Sequence, residues 1–284
     1  MKNFIVPVDF SADSLKGLEM ALLFSEKQKV NIQMVYVQKR SDDFRPGSYE
    51  EEQRYAQNQF EAVIRKYAPR LKNDSKMRYI IKKGRIHEEV VEQAESYKES
   101  VISASTHGAS GFEEFFIGSN AFKIISSTRS PVITIRKKVP AGIRKIVVPL
   151  QLHVDTRQKV PVAAEMAEIF GAEIHLVSIT TSHNKKDNNR LSAYLRQSSD
   201  FLKKRKVSHV AKSLHGENLI TLVSNYCSAV DGDMVVIMMP RASNLDILMG
   251  SYGQQMLYRS AVPVLSVTPK AKHVPAGFTT QGVY

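Results

Sequence analysis

The chain carries one pattern twice, and this restricts its fold more than any other feature. Lys2-Asn3-Phe4-Ile5-Val6-Pro7-Val8-Asp9 recurs as Arg144-Lys145-Ile146-Val147-Val148-Pro149-Leu150-Gln151, so Pro7 maps to Pro149 at an offset of 142. Val30-Asn31-Ile32-Gln33-Met34-Val35 recurs as Ala172-Glu173-Ile174-His175-Leu176-Val177 at the same offset. Further on, Gly118-Ser119-Asn120 and Ser130-Pro131-Val132 recur as Gly250-Ser251-Tyr252 and Val262-Pro263-Val264, with Pro131 mapping to Pro263 at an offset of 132. A net deletion of ten residues, the difference of the two offsets, falls between about Gln38 and the third strand of the copy. Each copy runs to about 140 residues, enough for its own core, whereas solenoid repeats are about 20 to 50 residues long. The expected division is a first domain over 1–138, a second over 144–269 and a tail over 270–284, joined by a short linker near Lys137 to Gly142 that contains Pro140.

Within each copy, short apolar runs alternate with segments of helical period. In the first copy the spacing predicts strands at 4–8, 32–37, 77–81, 101–104 and 132–135. Helices are predicted at 12–26, 49–67, 86–97 and 119–128. Phe60, Val63, Ile64 and Tyr67 make an i, i+3, i+4, i+7 face, and Ser48 with Glu51 makes a capping box. In the second copy the strands are predicted at 145–150, 173–179, 207–211, 234–238 and 264–267, and the helices at 156–170, 190–204, 217–228 and 251–260. His183 to Asn189 reads as a polar loop. Strand-helix alternation implies right-handed crossovers and parallel sheets covered on both faces. The expected class is α/β, with two tandem five-stranded parallel open sheets.

Composition then narrows the function classes. No apolar run approaches the roughly 18 residues of a membrane helix, so a membrane role is excluded. Phe4-Ile5-Val6-Pro7-Val8 follows Met1 directly, without a secretory h-region, and the one cysteine, Cys227, cannot form an internal disulfide; both favour a reducing cytoplasm. The net charge of +12 raises the question of nucleic acid. The basic residues are nevertheless scattered, and the densest groups, Arg136-Lys137-Lys138 and Lys203-Lys204-Arg205-Lys206, lack interleaved aromatics, so a solvated basic surface is expected and no nucleic-acid partner. His87 beside Glu88 and Glu89 lacks a second histidine at i+4, and the eight histidines are dispersed, so no metal set is read. Cys227, near Val223 and Tyr226, reads as a small buried hydrophobe, and Met238-Met239 as core packing.

Ligands of such sheets sit outside the carboxyl ends of the strands, at the switch in strand order. In the first copy that region collects Asp9, Val37 and the segment Ser105-Thr106-His107-Gly108-Ala109-Ser110-Gly111 leading to Gly118-Ser119. Glycines allow close backbone approach, and a helix opening at Ser119 offers free N–H groups to an anion. A plain connection has the same sequence signature.

The combination of Ile5-Val6-Pro7-Val8-Asp9-Phe10-Ser11, Thr106-His107-Gly108, Gly118-Ser119 and Ser130-Pro131-Val132 resembles the universal stress protein family, and the resemblance covers both copies. It implies that family's adenine nucleotide alpha hydrolase-like fold, an internal pseudo-dimer in which the last strands, 132–135 and 264–267, pair, and ATP held through Gly-x2-Gly-x9-Gly-(Ser/Thr), with Mg²⁺ as a companion. Carried over by position, Asp9 and Val37 take the ribose and adenine side, flanked by Pro7 and Val8. Gly108, Gly118, Ser119 and Asn120 take the phosphates, with His107 in the same loop. The first motif glycine is Ser105 here, which narrows the phosphate side, and Glu113 and Glu114 add negative charge to the loop.

In the second copy Asp9 becomes Gln151, Ser105 becomes Ile237 and Gly108 becomes Pro240, which lacks an N–H; this copy is expected to be silent and to act as a built-in partner. The resemblance thus implies a non-catalytic ATP-binding stress regulator with one nucleotide site, unknown protein partners and scope for a further homodimer. Its alternatives are a nucleotide-free scaffold, and a weak ATP hydrolase or self-phosphorylating protein using Asp9, Mg²⁺ and Ser119. No catalytic residue is assigned.

Overall fold

The computed structural model describes residues 1–39, 48–106, 119–152, 156–239 and 251–269. In the first half these form β1 (Asn3–Pro7), α1 (Leu15–Ser25), β2 (Asn31–Lys39), α2 (Ser48–Tyr67), β3 (Lys76–Gly84), α3 (Ile86–Glu95), β4 (Ser100–Ser105), α4 (Ser119–Ser127) and β5 (Val132–Ile135). The second half repeats the series as β6 (Lys145–Leu150), α5 (Val160–Phe170), β7 (Glu173–Thr180), α6 (Lys185–Lys204), β8 (His209–His215), α7 (Leu219–Ala229), β9 (Met234–Met238), α8 (Tyr252–Arg259) and β10 (Val264–Val267). No described helix is long and apolar enough to cross a membrane.

All ten strands join one sheet in the order β3-β2-β1-β4-β5-β10-β9-β6-β7-β8. Every pairing is parallel except the central one, where Thr134 faces Val264 and Val132 faces Ser266 in antiparallel register. Each half therefore has the order 3-2-1-4-5, with its switch between the first and fourth strands. The two halves close each other's inner edge, so that only β3 and β8 remain as outer edges.

The apolar residues lie in two layers. One face carries α1, α2, α5 and α6 on a layer including Phe4, Phe24, Phe60, Met166 and Ile174; the other carries α3, α4, α7 and α8 on Ile102, Ile124, Val235 and Leu257. Burial of each such side chain contributes about 1.5–3 kcal/mol. Across the seam Phe24 meets the edge of Phe170 at 4.8 Å, and the Thr134 hydroxyl donates to the Val264 carbonyl at 3.2 Å. α1 lies close on β4 because Gly17 has no side chain: a Cβ there would stand 2.4 Å from the Ser103 carbonyl oxygen, while the Ser103 hydroxyl donates to the Gly17 carbonyl at 2.9 Å.

The expected elements recur with three corrections in the second half. Its third strand is 209–215 rather than 207–211, because it is an outer edge whose residues are mostly exposed and give no apolar run. The expected loop over 183–189 ends early: Asn184 accepts the Lys186 N–H at 2.8 Å and starts α6 at Lys185. The helix expected at 156–170 begins as a 3₁₀ turn over Thr156–Lys159 before α5, which has proline in its first turn. The second helix is 20 residues long in both halves, so the ten-residue deletion is shared by the connections on either side of it. α2 begins at Ser48, one residue before the expected start, and the expected Ser48–Glu51 capping box falls outside the described residues with the Ser48 side chain, as does the tail beyond Pro269.

Candidate functional site

In the first half the chain turns sharply after β1. The Val8 N–H donates to the Val35 carbonyl at 2.9 Å, which carries strand geometry one residue past Pro7 and buries Val8. Asp9 is exposed. Its Oδ1 accepts the Ser11 N–H at 3.0 Å and the Ser11 hydroxyl at 2.6 Å, and its own N–H donates to the Ser14 hydroxyl at 3.3 Å. The Ser14 hydroxyl in turn donates to the Ser11 carbonyl at 3.0 Å. These bonds fix the carboxylate at the rim of the crevice before α1 begins.

The same turn holds Phe10 at φ +66°, a left-handed conformation that costs a bulky residue roughly 1–3 kcal/mol. Aromatic packing offsets that cost: the Phe10 ring stacks on Tyr36 at 5.1 Å and meets the edge of Phe60 at 4.9 Å. The Tyr36 hydroxyl donates to Glu52 Oε1 at 2.8 Å, and the Gln38 amide donates to the Tyr49 carbonyl at 3.1 Å. Burial first, and the Glu52 carboxylate second, push the Tyr36 hydroxyl well above its usual pKa. The first turn of α2 is thus latched to the end of β2, on the face opposite Val37. Val37 itself is buried in the layer beneath α3 and α4, so its side chain belongs to the core.

Ser105 is the last residue of β4 and pairs with Ile135, after which the Thr106 N–H donates to the Ile135 carbonyl at 3.0 Å. Since β1 and β4 are neighbours, Asp9 and Ser105 flank the switch-point crevice. α4 returns antiparallel to the strands, which brings its N-terminus, at Ser119, to the same edge. Its first N–H groups lack intrahelical partners and carry the positive end of the helix dipole. Asn120 is exposed in that first turn. His107, Gly108 and Gly118, with Glu113 and Glu114, lie outside the described residues, and so does the side chain of Ser119.

The second half keeps one hydrogen bond of this turn and changes the side chains around it. The Gln151 N–H donates to the Thr156 hydroxyl at 3.1 Å, the counterpart of Asp9 and Ser14 at an offset of 142. Lys159, which corresponds to Gly17, is 2% exposed, and among the described residues its ammonium has one hydrogen-bond partner, the Thr156 hydroxyl at 3.4 Å. Loss of hydration pulls its pKa down to about 7. Ile237 is fully buried. Tyr252, in the place of Asn120, has its hydroxyl oxygen sealed from solvent with no hydrogen-bond partner among the described residues. The Ser251 hydroxyl caps α8 by accepting the Gln254 N–H at 3.2 Å. Pro240 and Gly250 lie outside the described residues.

Two further readings have their geometry. Cys227 is buried, its thiol set toward the Gly232 carbonyl at 3.7 Å, and burial first and Asp233 second push its pKa up to about 11, as for an inert core thiol. Arg205 forks onto Glu168 at 2.8 and 2.6 Å, which ties the basic end of α6 to the protein's own surface. The Phe10 strain and the Tyr36–Glu52 latch have no signature in the sequence. Lys159 was detectable only as a charge opposite the Gly17 position of the first repeat.

Residues 1–136 match the model of the universal stress protein family. A universal stress protein from Archaeoglobus fulgidus DSM 4304 shares the fold with a TM-score of 0.76 at 18% identity, over 94% of this chain and 96% of that one. A functionally unknown protein from Pseudomonas aeruginosa PAO1 does so with a TM-score of 0.67 at 15% identity, over 95% and 93%. The cytoplasmic domain of a prokaryotic cation chloride cotransporter follows with a TM-score of 0.55 at 12% identity, over 93% and 94%. At these identities the likeness is one of fold, and one fold serves many functions. No curated protein matches the chain.

Proposed function

From a chain whose residues 1–136 belong to the universal stress protein family, we propose a non-catalytic regulator that holds one adenine nucleotide, ATP with Mg²⁺, in its first repeat. The repeats are read as domains over 1–138 and 144–269, with the second acting as a permanently attached structural partner and the whole working in a reducing cytoplasm. One observation supports the reading: the two crevices share the hydrogen bond that follows their first strand, from Asp9 to Ser14 and from Gln151 to Thr156, but have opposite contents. The first displays a carboxylate, Asp9, fixed by Ser11 at a switch point. In the second, Gln151 takes its place, beside a buried Lys159 and a buried Ile237. A rim carboxylate suits the hydroxyls of a ribose, which donate to it. The N-terminus of α4, with Asn120 exposed, suits phosphate. Binding rather than turnover is assigned, because a carboxylate tied into its own turn is placed to orient a ligand and not to activate water.

Calorimetric titration with Mg·ATP of the intact chain and of Asp9→Ala tests this. A lost hydrogen bond to a charged group corresponds to about a ten- to hundred-fold weaker affinity. Gln151→Ala is expected to leave binding unchanged. An Asp9→Ala variant that binds as tightly as the parent would defeat the assignment. A parent that does not bind at all would favour a nucleotide-free scaffold, the reading that Ser105 supports by replacing the first motif glycine.

A further inference from the structure

The outer corner of the second repeat brings together two histidines that are 32 residues apart in sequence. His183 lies between β7 and α6, and His215 ends β8; both are exposed. Their Nε2 atoms are 3.2 Å apart while their ring centres are 4.2 Å apart, so the rings converge at the nitrogen tips. We propose that His183 and His215 form a binding site for a divalent first-row transition metal, Cu²⁺ being held most tightly.

The bite distance is the first argument. Two imidazole nitrogens at about 2.0–2.1 Å from one metal stand about 2.9 Å apart at a right angle and about 3.4 Å apart at the tetrahedral angle. The observed separation lies between these limits, and neutral imidazole suits copper, zinc and nickel, with copper highest in the divalent series.

Support of the ligands is the second argument. The Ser182 N–H donates to the Thr180 hydroxyl at 2.9 Å, the Ser182 hydroxyl donates to Asp187 at 2.7 Å, and the Asn184 N–H donates to the Ser182 hydroxyl at 3.1 Å. The Gly216 N–H donates to the Thr180 carbonyl at 3.2 Å, which ties the end of β8 to β7. The residues next to the two histidines, Ser182 and Gly216, are therefore both anchored to Thr180. Lys185 and Lys186 are exposed, and their flexible stems keep their charges in water.

Space for the remaining coordination positions is the third. His215 lines a cleft of about 190 Å³ that also takes in the polar Ser178, Thr180, Asn188, Ser192 and Ser213 and the apolar Leu191 and Leu214. The cleft exists because Ser178 and Thr180 replace Tyr36 and Gln38, whose side chains in the first repeat reach across to α2. Among the described residues no third His, Cys, Asp or Glu side chain joins the pair, so water, or a small ligand in the adjoining cleft, would complete the coordination.

The test is titration of the intact chain with CuCl₂ alone, followed by electron paramagnetic resonance, alongside His183→Gln, His215→Gln and the double variant. Both positions are exposed, so the variants are expected to melt at the parent's temperature in the absence of metal. One equivalent of Cu²⁺ with nitrogen hyperfine structure from two imidazoles is expected. Either single change should weaken binding at least about ten-fold and remove one nitrogen from the spectrum. His209→Gln is the control, because that ring is already engaged by the Ser199 hydroxyl at 2.7 Å and the Val207 carbonyl at 3.0 Å. Binding that is unchanged in the two single variants, or no two-nitrogen copper species with one equivalent of metal, would overturn the assignment and leave the contact as a hydrogen bond between two rings.

Discussion

Lys159 is an amine held in the interior where the first repeat has a glycine. Its pKa is about 7 in the folded chain, against an ordinary value of 10.5 in the unfolded one, with burial as the cause. The unfolded chain therefore binds more protons than the folded one between those values, and stability rises with pH across that window. Below pH 7 the full penalty is present; above about pH 10.5 it vanishes. The slope is about 1.4 kcal/mol per pH unit, so chemical denaturation at pH 9 should show about 2 kcal/mol more stability from this group than at pH 7.5. Lys159→Met keeps the length, removes the charge, and is expected to raise stability at neutral pH by several kcal/mol while flattening this pH dependence. A variant less stable than the parent at pH 7.5 would show that the ammonium is satisfied in place. None of this was legible from Lys159 alone, since a lysine ahead of a helix is ordinarily solvated. Asp9 was legible, because position after the first strand of such a sheet already places it at the switch point, whereas its fixing by Ser11 and the left-handed Phe10 depend on contacts through space.

α1 packs on β4 through Gly17, and this contact reverses the usual rule for a helix glycine. Alanine in place of glycine ordinarily stabilises a helix by about 1 kcal/mol. Here the added methyl would meet the Ser103 carbonyl oxygen at 2.4 Å, a backbone atom that cannot swing aside. Gly17→Ala is expected to lower stability by about 1–3 kcal/mol, the cost of overpacking, as measured by urea unfolding. A gain instead would mean that α1 can lift from the sheet freely. Elements buried on both sides were the easiest to read: β6, β9 and β10 match their apolar runs residue for residue. β8 was misplaced because an outer edge strand with most of its residues exposed carries no such run. The start of α6 was missed because Lys185 to Asn189 are all polar, although Asn184 was an available cap.

At the scale of the molecule, two copies of one strand order share a sheet and differ in the residues at their crevices. The antiparallel β5–β10 pairing makes one ten-stranded sheet of two five-stranded ones, so the second half hides the edge that the first would otherwise expose. That role needs no ligand, and the second crevice has accumulated a buried lysine, a buried isoleucine and a shielded tyrosine where the first has Gly17, Ser105 and Asn120. The repeat and the seam were legible in the sequence, the seam through family resemblance. The paired histidines at the far corner were not, because the deletion beside α6 obscures their register and only the fold brings them together. The central claim is one nucleotide site in two repeats. Equilibrium dialysis of the nucleotide-stripped chain against Mg·ATP measures it directly. One site per chain, abolished by Gly118→Val, is the expected result; two sites, or none at millimolar ATP, would contradict the account.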